Sequence, residues 1–463
     1  MAAICSFQLY LSILIGFFIL TACQPVKYNL EREFPTDIPD SFVYESDADP
    51  KVPIEGPWWT PFGREDLDEL MNTVLENNLD LKSAWARIYA AHAEVLMARA
   101  NKKPEINLGV GIELEWNPVG TDDSGVGLGG LINPTFAYEY DLYGRLDSLV
   151  RSAFHSYQFS YYDQESTSLI LTGTAFDLFV EIIKYNELMG LSFEQEKISG
   201  RLLDLLRLRF MIGETTALDV NLQKLQLKSL DLRKIEQESS LDQSYIALSV
   251  LLGKNPDRNY FLSKSLPLLL PPKPYLENPI DLLFNRPDIK SAYEDFLASG
   301  FDLKAAILNC YPRLVVPISL EIAIGGLSNV IDEALVEAAI TLIGPLYDGG
   351  RRRSQVRKQR AIIEDKLNRL GAQFLKAINE VEKALVEERE ATFLIETIKE
   401  QIEQAGRILS MAEESYSIGI VDYLTVIDAI QSLQALERLL VEKQADLMIA
   451  RGKLYRSLGM KCF

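Results

Sequence analysis

Apolar residues along this chain repeat with two different periods, and the switches between them mark out its parts. Between residues 66 and 100 they recur every three or four positions (Leu67, Leu70, Val74, Leu75, then Leu81, Ala84, Trp85, Ile88), the spacing of a helix with one buried stripe. Asn77-Asn78 predicts a joint within this region and Pro104 its end. The period then drops to two. Ile106, Leu108, Val110, Ile112, Leu114 and Trp116 alternate with Glu105, Asn107, Gly109, Gly111, Glu113 and Glu115, which predicts a strand with one greasy and one acidic face. Its length suffices for a tilted transmembrane strand of about 9–11 residues. Pro134, Phe136, Tyr138, Tyr140 and Leu142 repeat the alternation, so residues 105–143 read as a strand hairpin. Between the two strands, Gly125-Val-Gly-Leu-Gly-Gly130 has dinucleotide-fingerprint spacing. Strands flank it and no helix follows, so a flexible external loop is expected there.

From Arg145 to Leu252 the pattern is helical, broken near Gly213 and stopped by Gly253-Lys254-Asn255-Pro256. Helices of about 60 residues would be rods roughly 90 Å long. Residues 261–279 are Pro-rich and read as a linker. The chain then starts again. Asn285-Arg-Pro-Asp-Ile-Lys-Ser-Ala292 mirrors Asn77-Asn-Leu-Asp-Leu-Lys-Ser-Ala84, and Leu314, Val316, Ile318, Leu320, Ile322 and Ile324 repeat the first strand. Val336, Ala338, Ile340, Leu342 and Leu346 repeat the second more weakly, before a helical run from Arg352 to Leu458 broken at Gly419. The expected organisation is a signal peptide (1–22), an extended segment (23–63) and two repeats. The first, 64–279, holds strand hairpin 105–143 and helical hairpin 145–253. The second, 280–463, holds strand hairpin 313–347 and helical hairpin 352–458.

Four greasy strands constrain the assembly. Sheet edges exposed to lipid leave backbone groups without partners, and membrane barrels have at least eight strands. Several copies must therefore share one barrel, with two, three or four all satisfying the arithmetic. The predicted class is mainly α with membrane β: duplicated helical hairpins continuing as a tube from four strands per chain in a shared transmembrane β-barrel.

Composition narrows the chemistry. A net charge of −19 and a pI near 4.8 argue against nucleic acid. An apolar run from Ile13 to Leu20 followed by Thr21-Ala22-Cys23 has the layout of a signal peptide, too short for a confident bilayer span. The later cysteines, Cys310 and Cys462, stand alone and form no disulfide framework. His92 and His155 have no second ligand at metal spacing, and no nucleophile, base or phosphate loop is evident, so neither an enzyme, a cofactor nor a metal is expected. Trp58-Trp59 suits either a membrane-interface belt or packing against the helices. Arg351-Arg352-Arg353 suits either anionic headgroups or a solvated helix start.

Leu20-Thr21-Ala22-Cys23, Trp58-Trp59, Asp80-Leu81-Lys-Ser-Ala84, Tyr140-Asp-Leu-Tyr-Gly-Arg145, Leu252-Gly253, Gly344-Pro-Leu-Tyr-Asp-Gly-Gly-Arg351 and residues 416–429 occur in this order. Together they resemble the outer membrane efflux proteins of the TolC family, in its OprM-like lipoprotein branch. The resemblance implies a homotrimer with a 12-stranded barrel and a periplasmic α-barrel. It also implies a passive exit duct of a tripartite efflux system, docking on a periplasmic adaptor and an inner-membrane pump. It implies lipidation of Cys23 at the outer membrane, Gln24 in place of Asp fitting that destination, with an ordinary signal peptide as the alternative. The family's periplasmic constriction maps onto Leu424 and Asp428, with Asp422 beside them. Both acids would also suit the first turns of a helix. The alternative function is a lipid-anchored structural coiled-coil protein of the cell envelope, in which the strand hairpins would have no use.

Overall fold

The computed structural model describes residues 34–44, 56–116, 126–256, 270–276, 278–324 and 333–462; the predicted signal and lipidation residues lie outside these. Helices α1 (Glu65–Asn77) and α2 (Leu79–Ala100) meet at the predicted joint, where Asn78 caps α2 by accepting from the Leu81 N–H at 3.1 Å. Strands β1 (Glu105–Trp116) and β2 (Val126–Tyr140) lead into helices α3 (Arg145–Met211) and α4 (Ala217–Leu251). A short α5 (Leu282–Asn285) precedes α6 (Pro287–Leu308), strands β3 (Arg313–Ile324), β4 (Glu333–Ala338) and β5 (Thr341–Ile343), and helices α7 (Arg351–Ser417) and α8 (Tyr423–Ser457).

The duplication is visible in element lengths. Helices α3 and α7 each have 67 residues, α4 and α8 each 35, α2 and α6 each 22, and β1 and β3 each 12. Each helical hairpin thus has one long and one short arm, divided at Gly213 and Gly419.

The chain forms two compact units, each drawing on both repeats. Of the described residues, the first comprises 34–36, 86–116, 126–161, 291–324 and 333–372, and contains the sheet. Its strands run in the order β1-β2-β3-β4, all antiparallel, with β5 also on β3. The apolar residues of β1 are bare: Ile106, Leu108, Val110, Ile112 and Leu114 are 68–79% exposed, so nothing among the described residues covers that face. Prolines shape the ladder. The β2–β3 pairing skips Asn133 and Pro134, and the partner of β3 breaks into β4 and β5 opposite Pro317, because proline has no N–H to donate. The expected second strand of the second hairpin is therefore interrupted, and Ile340 and Leu346 fall outside it. A second correction concerns the glycine-rich segment: Val126 to Gly130 are the start of β2, paired with Trp116 to Ile112, and not a loop. Small residues carry no propensity signal for strands, but the pairing partner supplies the ladder.

The second unit (37–85, 162–290, 373–463) is helical. Its main core gathers Trp58, Phe62, Leu67, Phe176, Ile183, Leu248 and Tyr455. Trp58 and Trp59 are packed here, and Trp58 donates to the Thr172 hydroxyl at 3.2 Å, which supports packing over a membrane belt. Gly452 lets α8 approach α3: a Cβ there would meet the Phe176 ring at 2.5 Å. Cys462 is a buried thiol pushed up to about 11 by burial, and Cys310 is half-buried, its thiol donating to the Ala306 carbonyl at 3.8 Å.

Candidate functional site

The turns closing the two helical hairpins are built alike. Helices α3 and α7 stop at Gly213 and Gly419, both at φ 80°, the left-handed region that glycine enters without strain. The next N–H, of Glu214 and of Ile420, returns to the carbonyl of Arg209 and of Ser415. Each following helix then begins on a side-chain cap. Thr216 and Asp219 form a capping box at α4, and Asp422 caps α8 by accepting from the Thr425 N–H at 3.2 Å and its hydroxyl at 3.0 Å. Asp422 therefore occupies the helix-start role, with its carboxylate committed to the cap.

Behind the turns lies an apolar cluster with residues from all four helices, among them Leu203 and Leu206, Val220, Ala412, Tyr423 and Val426. Leu424 and Asp428 point the other way. They sit one turn apart on the same side of α8, where adjacent turns bring positions i and i+4 together. Leu424 is 48% exposed and the Asp428 carboxylate is exposed, with no partner among the described residues. In the first hairpin the matching positions are Leu218, also exposed, and Leu222, which turns inward onto the cluster. The structure thus presents Leu424 and Asp428 on one open face and leaves Asp422 at the cap.

A polar framework that the sequence reading missed joins the two tips. The Tyr416 hydroxyl lies 3.2 Å from Thr215 Oγ1, which itself donates to Asp219 at 2.7 Å, so Tyr416 is the donor. Burial tends to raise the Asp219 carboxyl, but the bonds from Thr215 and Thr216 outweigh it and hold it below its ordinary value. A depressed carboxyl stabilises the fold above the unfolded value of about 4, and that stabilisation is lost as pH falls through the lowered one. Tyr423 is fully buried and donates to Gln223 Oε1 at 2.8 Å; burial pushes its phenol far above the ordinary value. Beyond it Gln226 donates to Gln434 at 3.0 Å and accepts from Gln431 at 2.8 Å. The available signal was glutamine at inward helical positions 223 and 226, between the buried Val220 and Leu230.

Tyr423→Phe would strip the Gln223 oxygen of its buried donor, at a cost of about 1–3 kcal/mol. Hydrogen exchange should quicken at the amides of 217–226 and 420–427 and stay unchanged in α2 and α6. Unaltered exchange at the tips would show that the phenol bond contributes nothing.

The sequence model of the family described as "Outer membrane efflux protein" matches twice, over residues 70–254 and 279–460. The pyoverdine export outer membrane protein OpmQ of Pseudomonas aeruginosa is 25% identical over 410 residues, covering 87% of this chain and 86% of that protein. The toluene efflux pump outer membrane protein TtgF of Pseudomonas putida is 24% identical, covering 87% of this chain and 85% of that protein. Among solved structures, the outer-membrane channel OprN superposes with a TM-score of 0.81 at 20% identity, over 93% of this chain and 98% of that one. The open state of the MtrE channel of Neisseria gonorrhoeae gives 0.81 at 17% identity, over 95% and 99%.

Proposed function

Because the chain belongs to the outer membrane efflux protein family and is an outer membrane efflux channel, we propose that it acts as a homotrimeric exit duct. The duct passively conducts substrates received from a periplasmic adaptor and an inner-membrane pump. The observation that carries this is the bare apolar face of β1 on a sheet whose two outer strands have open edges among the described residues. Such a sheet is stable in lipid only when closed, and three copies would close it with 12 strands. On α4, Leu218, Leu225 and Leu232 are exposed seven residues apart, the spacing of a seam between helices, and supply apolar surface for a neighbouring copy. A structural spacer would need the rods alone and would gain nothing from a bare greasy sheet. The chain's chemistry is passage and not catalysis.

In this reading residues 1–22 are the signal peptide and Cys23 is the lipidated first residue of an anchored segment, 23–63, ahead of the two repeats, 64–279 and 280–463. Pro35 rests on Gly371, where a Cβ would meet the proline ring at 2.5 Å. From Gly371 back to the start of α7 the helix rises about 30 Å. The stretch from Cys23 to Pro35 spans up to about 40 Å when extended, enough for an acyl chain on Cys23 to enter the bilayer beside the sheet. The gate is formed by Leu424 and Asp428 of the three second tips, an apolar constriction and an acidic ring.

The protein purified in detergent is expected to have the mass of three chains and to open discrete conductance steps in planar bilayers. A delipidated monomer that is soluble without detergent and conducts nothing would remove the channel reading in favour of the spacer.

A further inference from the structure

The first turns of α7 carry a charge that the duplicated architecture does not require. Residues 351–360 read RRRSQVRKQR, five arginines and a lysine without an acid, in a chain of net charge −19. Cations at a helix N-terminus oppose the helix dipole. The matching turns of α3 read RLDSLVRSAF, and both arginines there are paired: Arg145 with Glu139 at 2.8 Å and Arg151 with Asp147 at 2.9 Å. In the first turns of α7, among the described residues, only Arg352 has an acidic partner, Asp348 at 3.7 Å. Arg351, Arg353, Arg357, Lys358 and Arg360 are exposed on both sides of the stripe Val356 and Ile363 that packs on α6. The backbone amides at the helix start are already occupied, since the Asp348 carboxylate accepts from the N–H groups of Gly350 and Arg352. The distinctive feature is the side-chain charge.

Its position follows the layering of a bilayer. Strand β5 ends at Ile343, Leu346 and Tyr347 come next at 82% and 92% exposure, and the cations follow. Apolar strand, exposed aromatic and cation is the order of hydrocarbon, interface and headgroup. The headgroup layer is about 5–8 Å deep on each side, and arginine side chains extend towards it while keeping their charge in the polar zone. Arg351 and Arg353 fall within that layer, while Arg357 and Lys358, one to two turns on, remain near the screening length of about 8 Å.

We propose that the first three turns of α7 bind the phosphate-bearing headgroups of anionic glycerophospholipids in the periplasmic leaflet of the outer membrane. This rests on the placement of the sheet in that membrane and is independent of the gate. Continuity with the greasy strands and the intervening Leu346 and Tyr347 favour lipid over the anionic cell-wall polymer. Each cation near a charged surface is worth about fivefold in partitioning.

The full-length oligomer in detergent, titrated with phosphatidylglycerol or phosphatidylcholine, tests this by native mass spectrometry of retained lipid. Phosphatidylglycerol is expected to be retained preferentially, less so at high salt. Arg353→Gln/Arg357→Gln/Arg360→Gln and Arg351→Gln/Lys358→Gln should each weaken the preference, and all five together should abolish it. Arg353→Lys/Arg357→Lys/Arg360→Lys should keep most of it. If the five-site variant fails to assemble, the two partial variants and the salt dependence decide. Equal retention of the two lipids by the unmodified protein, or an undiminished preference in the glutamine variants, overturns the proposal. So does binding to isolated cell-wall sacculi that the glutamine variants lose while no lipid preference exists, which would reassign the surface to the wall.

Discussion

Replacing Arg451 with methionine is expected to cost about 3–5 kcal/mol of stability, the usual penalty for stripping one partner from a buried ion pair. Arg451 on α8 binds Glu388 on α7 through two parallel bonds, Nε at 3.0 Å and Nη2 at 2.8 Å, with side chains only 5% and 2% exposed. Its remaining nitrogen donates to the Pro271 carbonyl, and Tyr455 donates to the Pro272 carbonyl at 2.7 Å. The same arginine therefore locks two helices and fastens the connection between the repeats to them. Methionine preserves the volume but leaves the Glu388 carboxylate dry, with Lys273 at 3.4 Å as its remaining charged partner. The thermal midpoint of the detergent-solubilised oligomer should fall, and proteolysis should begin within residues 270–275. Adding Glu388→Leu should restore much of the loss, since the uncompensated charge disappears with its partner. A single variant as stable as the parent, or a double variant no better than the single, would contradict this account.

The architecture was legible because its signals are periodic. The alternation from Ile106 to Trp116 located β1 to the residue, and the match of Asn77 to Ala84 with Asn285 to Ala292 exposed the duplication that equal element lengths display. Features set by a partner were hidden. Val126 to Gly130 become strand through their pairing with β1, and Pro317 interrupts the opposite strand by lacking a donor, an effect visible only once the register is known. The unequal arms followed from the positions of Gly213 and Gly419 within their helical runs, since glycine marks where each long helix stops. At the tips, the Gly419 turn and the acid at Asp428 could be read from sequence. The Tyr416–Thr215 bond and the glutamine layer could not, because each joins residues about two hundred positions apart.

Asp428→Ala and Leu424→Ala are each expected to raise the conductance of the reconstituted channel, and the geometry of the second tip explains why they should differ. Asp422 is occupied in capping α8, and Leu222, the first-repeat counterpart of Asp428, is turned into the apolar cluster. Asp428 is thus exposed and without a partner among the described residues, with Leu424 one turn nearer the helix start. In a three-fold arrangement a contact worth about 1 kcal/mol per copy sums to about 3 kcal/mol. Its loss would shift the closed-to-open ratio on the order of a hundredfold. Leu424→Ala removes apolar bulk and leaves the charge, so conductance should rise while preference for cations persists. Asp428→Ala removes both the contact and the acidic ring, so conductance should rise and cation preference should fall. Asp422→Ala should instead fray the start of α8, costing about 1 kcal/mol locally, with its charge contributing nothing to selectivity. Unchanged single-channel conductance in both the Leu424 and Asp428 variants would remove the gate from the second tip. A loss of cation preference on replacing Asp422 instead would move the acidic ring to the cap.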